Sequence, residues 1–432
     1  MFETLKNAWK MPELRKKLLY TLLIIVIFRV GAAIPVPFLD PSTLQQMISS
    51  NSGNLFGYLN MLTGGAFSQA TLFAMSVTPY INASIIIQLL TIAIPYLERL
   101  SKEGEEGRKR LNKITRWTTV VLAAIQALAY YLTLRSYGAV TYEDGVSGVF
   151  AAAIIIVSFI AGTTLIMWLG EQLDKKGVGN GISIILFAGI ISRGPAAVTT
   201  LWNYLQLAAQ GETKYFFFVP LIVALFVAII GFIVVMTNAE RRIPVQYAKR
   251  VVGRKMYGGQ SSHIPIKVNM SGVMPIIFAS SLIAIPGTIA AFVNPTEGGF
   301  WDKVLGVFDY TGWLYAIVYF VLIIAFNFFY VAVQYNPIEI SNNLRKQSGA
   351  IPGIRPGKPT SDFIAKVVSK VTLLGALFLG VIAVLPIALS AVTGMNVALG
   401  GTSILILVSV ALDTTRALES QMMMRHYKGF LE

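Results

Sequence analysis

The hydrophobic residues of this 432-residue chain form long runs that polar stretches separate. A helix needs about 20 apolar residues to cross the roughly 30 Å hydrocarbon core of a bilayer. Runs of about this length predict membrane-spanning helices at 18–34, 71–95, 117–134, 149–170, 181–207, 215–237, 270–292, 312–334, 371–391 and 401–418. Arg193, Gly194 and Pro195 interrupt the fifth run. The pattern therefore predicts an all-α polytopic membrane protein with about ten transmembrane helices.

The composition agrees with lipid as the main solvent. Hydrophobic residues make up 55% of the chain and charged residues only 13%, whereas soluble domains carry about 25% charged residues. The first apolar run ends in Pro35, Val36 and Pro37 without a small-residue cleavage site. We therefore expect a retained first span rather than a removed signal peptide. The absence of cysteine excludes disulfides and thiol chemistry.

Lysine and arginine are concentrated in alternate connecting segments. They cluster before the first span, at the end of the last one, and in 98–116, 171–180, 238–269 and 335–370. The exceptions are Arg135, Lys214 and Lys303 in the opposite loops, and Arg29 and Arg193 within spans. Basic loops stay on the cytoplasmic side, so both termini are predicted to be cytoplasmic. The excess of 35 basic over 21 acidic residues thus indicates topology rather than nucleic-acid binding.

Three segments need an explanation beyond spanning. Residues 54–67 are apolar but too short to cross, which fits either a surface helix or a re-entrant piece lodged in a protein-lined cavity. Apolar residues alternate along both ends of 238–269, which predicts a β-hairpin. Residues 335–370 contain a Pro/Gly turn that presents Arg355. Two basic protrusions could dock a motor protein or ribosomal RNA. Equally, their charges could serve only to orient the chain in the membrane.

A motif of the form V-x-P-x-I-x-A-S occurs at 77–84 and again at 273–280. An odd number of predicted spans separates the copies, so they are predicted to cross in opposite directions, as in an inverted-topology repeat. Such a repeat divides the chain into halves 1–207 and 215–432, with a functional path between them. Pro79, Pro275 and Pro286 are predicted to weaken the backbone ladders of these helices. A chance match between two apolar segments is the alternative.

Polar side chains occur at membrane depth in the same two spans. They are Asn82, Ser84, Gln88, Thr91, Ser280 and Ser281. Gln126 lies in the third span. Such groups commonly form hydrogen bonds to a neighbouring helix. Because several of them lie on the two repeat-related helices, they also fit a contact between helices that can open.

Residues suited to catalysis are scarce. The two histidines, His263 and His426, lie in predicted cytoplasmic segments, and Asp413 lies toward the cytoplasmic end of the last span. No Gly-rich phosphate loop, metal-ligand cluster or nucleophile–base pair is present in the sequence. Ion-coupled carriers usually need an intramembrane acid, so the pattern disfavours that class and enzymes. A carrier for a lipid or neutral solute, and then an intramembrane transferase, are the rival interpretations.

Seven segments together resemble the SecY family of bacterial protein-translocation channels. They are GGAFSQATLFA (64–74), TPYINASIIIQLL (78–90), SKEGEEGRKR (101–110), MWLGEQL…GVGNGISI (167–184), HIPIKVNMSGVMPIIFASS (263–281), PGIRPG (352–357) and GGTSILI (400–406). They follow the family's order over nearly the whole chain.

The resemblance implies two inverted five-helix halves around a central pore in the bacterial plasma membrane. Unfolded polypeptides bearing a signal sequence cross through the pore, and membrane segments leave sideways into lipid between spans two, three, seven and eight. The implied partners are the small subunits SecE and SecG, with the SecA ATPase and the ribosome on the cytoplasmic face. The resemblance implies neither enzymatic activity nor a cofactor.

The resemblance also implies roles for individual residues. The pore ring comprises Val77, Ile81, Leu186, Ile277 and Ile406. The lateral gate includes Asn82, Gln126, Ser281 and Ile285. The plug, at 54–67, includes Leu55, Phe56, Leu59, Met61 and Leu62. Arg254, Lys255 and Arg355 contact the motor or the ribosome. A ring of aliphatic side chains sheds water and thereby blocks ions.

Overall fold

The computed structural model describes residues 2–50, 65–136, 138–142, 144–210, 212–247, 250–252, 255–257, 261–293, 312–393 and 401–426. The helices are α1 Phe2–Lys10, α2 Pro12–Gly31, α3 Pro41–Ser50, α4 Thr78–Ala93, α5 Pro95–Lys102, α6 Glu105–Ser136, α7 Gly145–Lys176, α8 Gly181–Ile191, α9 Gly194–Ala209, α10 Lys214–Asn238, α11 Met274–Val293, α12 Trp313–Gln334, α13 Pro337–Lys346, α14 Lys358–Thr393 and α15 Gly401–His426. The strands are β1 Glu240–Tyr247, β2 Arg250–Val252, β3 Lys255–Tyr257, β4 Ser261–Lys267 and β5 Gly349–Ala350.

The mostly helical, membrane-spanning architecture is confirmed. Six helical segments of the described chain are long and apolar enough to cross a bilayer, or seven if the bent pair α4 and α5 counts as one span. Every predicted span overlaps a helix, and the count of ten remains a prediction. The predicted break in the fifth span is confirmed, because α8 ends at Ile191 and α9 begins at Gly194.

The prediction for the second span is wrong at its start. The helix begins at Thr78 rather than at residue 71, and residues 65–77 form turns and one β-bridge, from Thr71 to Pro35. Their backbone bonds to other segments: Leu72 N donates to Ile34 O, and Val36 N donates to Ala70 O, both at 2.9 Å. The apolar composition of 71–77 reflects burial inside protein, where irregular backbone at membrane depth is tolerated.

Apart from α9 and α10, which pack together on either side of the connecting loop, the described helices of 1–207 and of 215–432 contact each other along two seams. At the first seam, α15 packs against α8 and α1. At the second, α11 packs against α4 and α6. We call these the rear seam and the front seam. The candidate site lies between them.

The predicted β-hairpin is confirmed. Strands β1 and β4 pair antiparallel, with Ile243 opposite Ile264. Strand β5, which comes from the second basic segment, extends this sheet by pairing with the end of β1. The two segments predicted as separate protrusions are therefore one body. Their shared core contains Ile243, Val245, Ile266, Leu344, Ile351 and Ile364. We call this body, formed by β1, β4, β5, α13 and the turn 352–357, the platform.

Candidate pore, gate and docking site

The structure brings the five predicted ring residues into one apolar cluster. Three are buried and two, Ile81 and Ile277, are half-buried. They come from four places in the fold: the start of α4, the middle of α8, the start of α11 and the first turns of α15. Each half contributes to the cluster. Because all five ring side chains are aliphatic, they offer no hydrogen bond to a neighbour.

The sequence repeat corresponds to a repeated local structure. Val77 immediately precedes α4, and Val273 immediately precedes α11. Val77 O accepts from Ile81 N at 3.0 Å, and Val273 O accepts from Ile277 N at 3.2 Å. In both copies the residue before the valine has a left-handed backbone, with φ of 49° at Ser76 and 65° at Gly272.

The two repeat prolines therefore have a different role from the one predicted. Pro79 and Pro275 lie in the first helical turn, where the missing N–H has no intrahelical acceptor to lose. For these two prolines, the prediction that they weaken the backbone ladders is wrong. Pro286 lies within α11, and for it the effect stays a prediction. Pro79 and Pro275 favour helix initiation instead, so that two helix N-termini, one from each half, meet at the apolar cluster.

The predicted gate residues lie on helices that meet at the front seam. Asn82 on α4, Gln126 on α6 and Ser281 on α11 are all half-buried. No hydrogen bond joins these three side chains to one another in the described structure. Ile285 belongs to α11, and its side chain lies outside the described residues.

A front-seam contact that no sequence pattern predicted involves α12. Tyr330 Oη donates to Gln88 Oε1 at 2.5 Å. Tyr330 is 5% exposed and its ring lies 4.8 Å from that of Phe278, centroid to centroid. Ile85 of α4 belongs to the same buried cluster. The available sequence signal was a tyrosine in a predicted span, because a buried phenol usually finds a hydrogen-bond partner.

The predicted plug residues Leu55, Phe56, Leu59, Met61 and Leu62 lie outside the described residues. The end of the predicted segment is described at Phe67, which is 4% exposed. Its carbonyl accepts from Tyr130 Oη at 3.1 Å, and the two rings stack with centroids 4.6 Å apart. The segment's C-terminal end is thus anchored to α6.

Arg355 is exposed on a braced turn of the platform. Its carbonyl accepts from Thr360 Oγ1 at 2.8 Å, and Gly357 O accepts from Ser341 Oγ at 2.9 Å. Both hydroxyl residues are buried. Among the described residues, no carboxylate pairs with the Arg355 guanidinium, which leaves it available for a partner. Lys255 begins β3, and Arg254 lies outside the described residues.

Comparisons with known proteins agree with this geometry. The family model for SecY matches residues 71–415. The protein translocase subunit SecY of Streptomyces coelicolor is 43% identical over 442 residues, covering all of both chains. That of Thermotoga maritima is 42% identical over 437 residues, covering 100% of this chain and 98% of the relative.

Solved structures share the fold. One described as "The structure of a protein conducting channel" superposes with a TM-score of 0.64 at 18% identity, covering 96% of each chain. Sec61 in a canine ribosome–channel complex gives a TM-score of 0.60 at 17% identity over the same coverage. These matches confirm the predicted resemblance and the fold.

Proposed function

The chain belongs to the SecY family, and on that premise we propose that it is the protein-conducting subunit of a bacterial protein translocase. In this proposal, unfolded polypeptides bearing a signal sequence pass between the halves 1–207 and 215–432. Apolar segments leave sideways into lipid through the front seam. The observation that best supports the proposal is that five aliphatic ring residues, contributed by both halves, meet in one apolar cluster where both repeat helices begin.

The cluster has the chemistry that a polypeptide pore requires. A narrow passage lined by aliphatic groups sheds water and so blocks ions. The ring side chains, Val77, Ile81, Leu186, Ile277 and Ile406, have no donor or acceptor, so a sliding chain forms no side-chain hydrogen bond with them. No step requires a catalytic residue or a cofactor. The segment 54–67 is proposed to cover the outer mouth when no chain is passing.

The platform is the proposed docking surface. Arg355 is exposed and unpaired among the described residues, and a guanidinium is well suited to carboxylate or phosphate groups. Arg254 and Lys255 add positive charge at the hairpin. We assign SecA and the ribosome to this face and place it, with both termini, in the cytoplasm. SecE and SecG are the proposed membrane subunits of the complex.

Reconstitution distinguishes this function from the rival carrier. The purified complex in proteoliposomes, supplied with SecA, ATP and an unfolded secretory polypeptide, is expected to yield polypeptide that external protease cannot reach. The same preparation lacking this chain serves as the control. Saturable uptake of a lipid or small solute, without any protected polypeptide, would instead establish the carrier.

A further inference from the structure

Apolar packing and hydrogen bonds occur at both seams. At the rear seam, α15 shares an apolar cluster with α8. Its C-terminal part also bonds to the start of the chain, through Thr4 Oγ1 to Glu419 Oε1 at 3.1 Å and Lys17 Nζ to Gln421 Oε1 at 3.0 Å. At the front seam the bond from Tyr330 to Gln88 joins residues 242 positions apart.

The front-seam bond lies at the margin of an aromatic cluster. Tyr330 is buried and packs against Phe278 and Phe329, with ring centroids 4.8 and 6.1 Å away. Gln88 is exposed. The phenol is therefore held in place by packing, while the amide that it contacts is accessible from the surface of the seam.

About one turn earlier, hydrogen bonds join α12 to other elements of 215–432. Asn327 is 2% exposed. Its Oδ1 accepts from Ser271 Oγ, directly before α11, and its Nδ2 donates to Thr372 O of α14 at 3.0 Å. Leaving a buried amide without its partners costs much more than breaking a bond whose groups can reach other partners. Separation along the front seam therefore leaves the Asn327 contacts intact and breaks the Tyr330 contact.

From these contacts we infer that Tyr330 and Gln88 form a latch that holds the front seam closed, with α12 moving as part of 215–432 when the seam opens. The inference deepens the proposed function, because it names the contact that regulates the sideways exit, and it relies on that function only for what passes through the opening.

Distance measurements between spin labels test the latch without any translocating chain. Lys102→Cys labels the end of α5, which follows α4, and Lys346→Cys labels the end of α13, which follows α12. The chain has no native cysteine, so the two labels are unique. Pulsed electron–electron double resonance of the assembled complex in lipid nanodiscs then gives the populations of shorter and longer distances between the two labels.

Tyr330→Phe keeps the ring and its packing but removes the donor. Interhelical hydrogen bonds in membranes average about 0.6 kcal/mol, which corresponds to a roughly threefold rise in the ratio of longer to shorter separations. Gln88→Leu is expected to produce the same rise. The two changes together are expected to do no more than either one, because both remove the same bond.

Thr119→Val is the matched control, since the Thr119 hydroxyl is buried but bonds within its own helix, to Thr115 O at 2.7 Å. It is expected to leave the distances unchanged. Any of three results would overturn the latch. They are wild-type distances in Tyr330→Phe, additive effects of Tyr330→Phe and Gln88→Leu, and a shift in Thr119→Val equal to that in Tyr330→Phe. Those results would not affect the proposed function in polypeptide transport. Conversely, if the distances change as expected but polypeptide import fails, the transport function is contradicted and the latch is not.

Discussion

Gln246 of the hairpin pairs with Ala350 of the following basic segment. This contact joins two segments that are about a hundred residues apart in sequence, and with the shared apolar core it makes them one platform. The Arg355 turn follows β5 directly. The turn is thus connected through β5 to β1 and β4, which lie between α10 and α11 in the chain.

The pairing depends on a glycine. A Cβ at Gly349 would lie 2.9 Å from Tyr247 Cε1 and 3.2 Å from Val245 Cγ1. Gly349→Val is expected to separate β5 from β1 and to speed hydrogen–deuterium exchange at 349–350, measured by mass spectrometry. Gly194→Val is the control, because nothing lies within 4 Å of a Cβ there. Unchanged exchange in Gly349→Val would show that the strand pairing does not need this glycine.

Arg355 is predicted to act in docking rather than in folding. Arg355→Glu is expected to abolish SecA-driven import into proteoliposomes, because the reversed charge repels the acidic group that the guanidinium would contact. Assembly of the complex is expected to be unchanged by gel filtration. Lys370→Glu, an equal charge reversal at an exposed site on α14, is expected to import normally. Normal import by Arg355→Glu would show that this arginine is not needed for docking and serves only to orient the chain in the membrane.

The alternating charge predicts the topology. A membrane-impermeant thiol reagent added to intact cells is expected to label Tyr142→Cys, an exposed position in a loop of low positive charge. It is expected to label Lys346→Cys only after the membrane is opened. The opposite pattern would invert the topology, and both predicted cytoplasmic termini with it.

Asn327 is predicted to stabilise the C-terminal half. Asn327→Leu removes a buried amide, which leaves the Ser271 hydroxyl without its acceptor and Thr372 O without the amide donor. The expected loss of stability is about 1–3 kcal/mol, measured as a lower midpoint of denaturant unfolding in detergent. Thr164→Val, which removes a hydroxyl bonded within its own helix, is expected to change the midpoint less. Equal midpoints for wild type and Asn327→Leu would assign the amide no structural role.

Local patterns predicted two local features correctly. Alternation at Ile243 and Val245 identified the hairpin, and Arg193 with its neighbours identified the helix break. The start of α4 was misplaced because an apolar segment such as 71–77 looks the same whether its backbone bonds within a helix or to residues 34–36.

Contacts between distant segments were beyond reach of any local pattern. Nothing near Gln88 in the sequence identifies Tyr330 as its partner, and nothing near Tyr247 identifies Gly349. The ring residues are ordinary apolar side chains by themselves, so their proposed role came from the family resemblance. The structure adds that they converge.

The most direct test of the account is the ion conductance of the resting channel in planar bilayers. Replacing Ile81 and Ile277 together with serine places hydroxyl groups in the apolar cluster, one from each half. Water then remains in the constriction, and a steady conductance well above that of wild type is expected without any polypeptide. The control carries Ile125→Ser and Ile317→Ser, which lie on exposed faces of α6 and α12, and is expected to stay closed. Wild-type conductance in an assembled Ile81→Ser, Ile277→Ser channel would contradict the central claim that this cluster seals the pore.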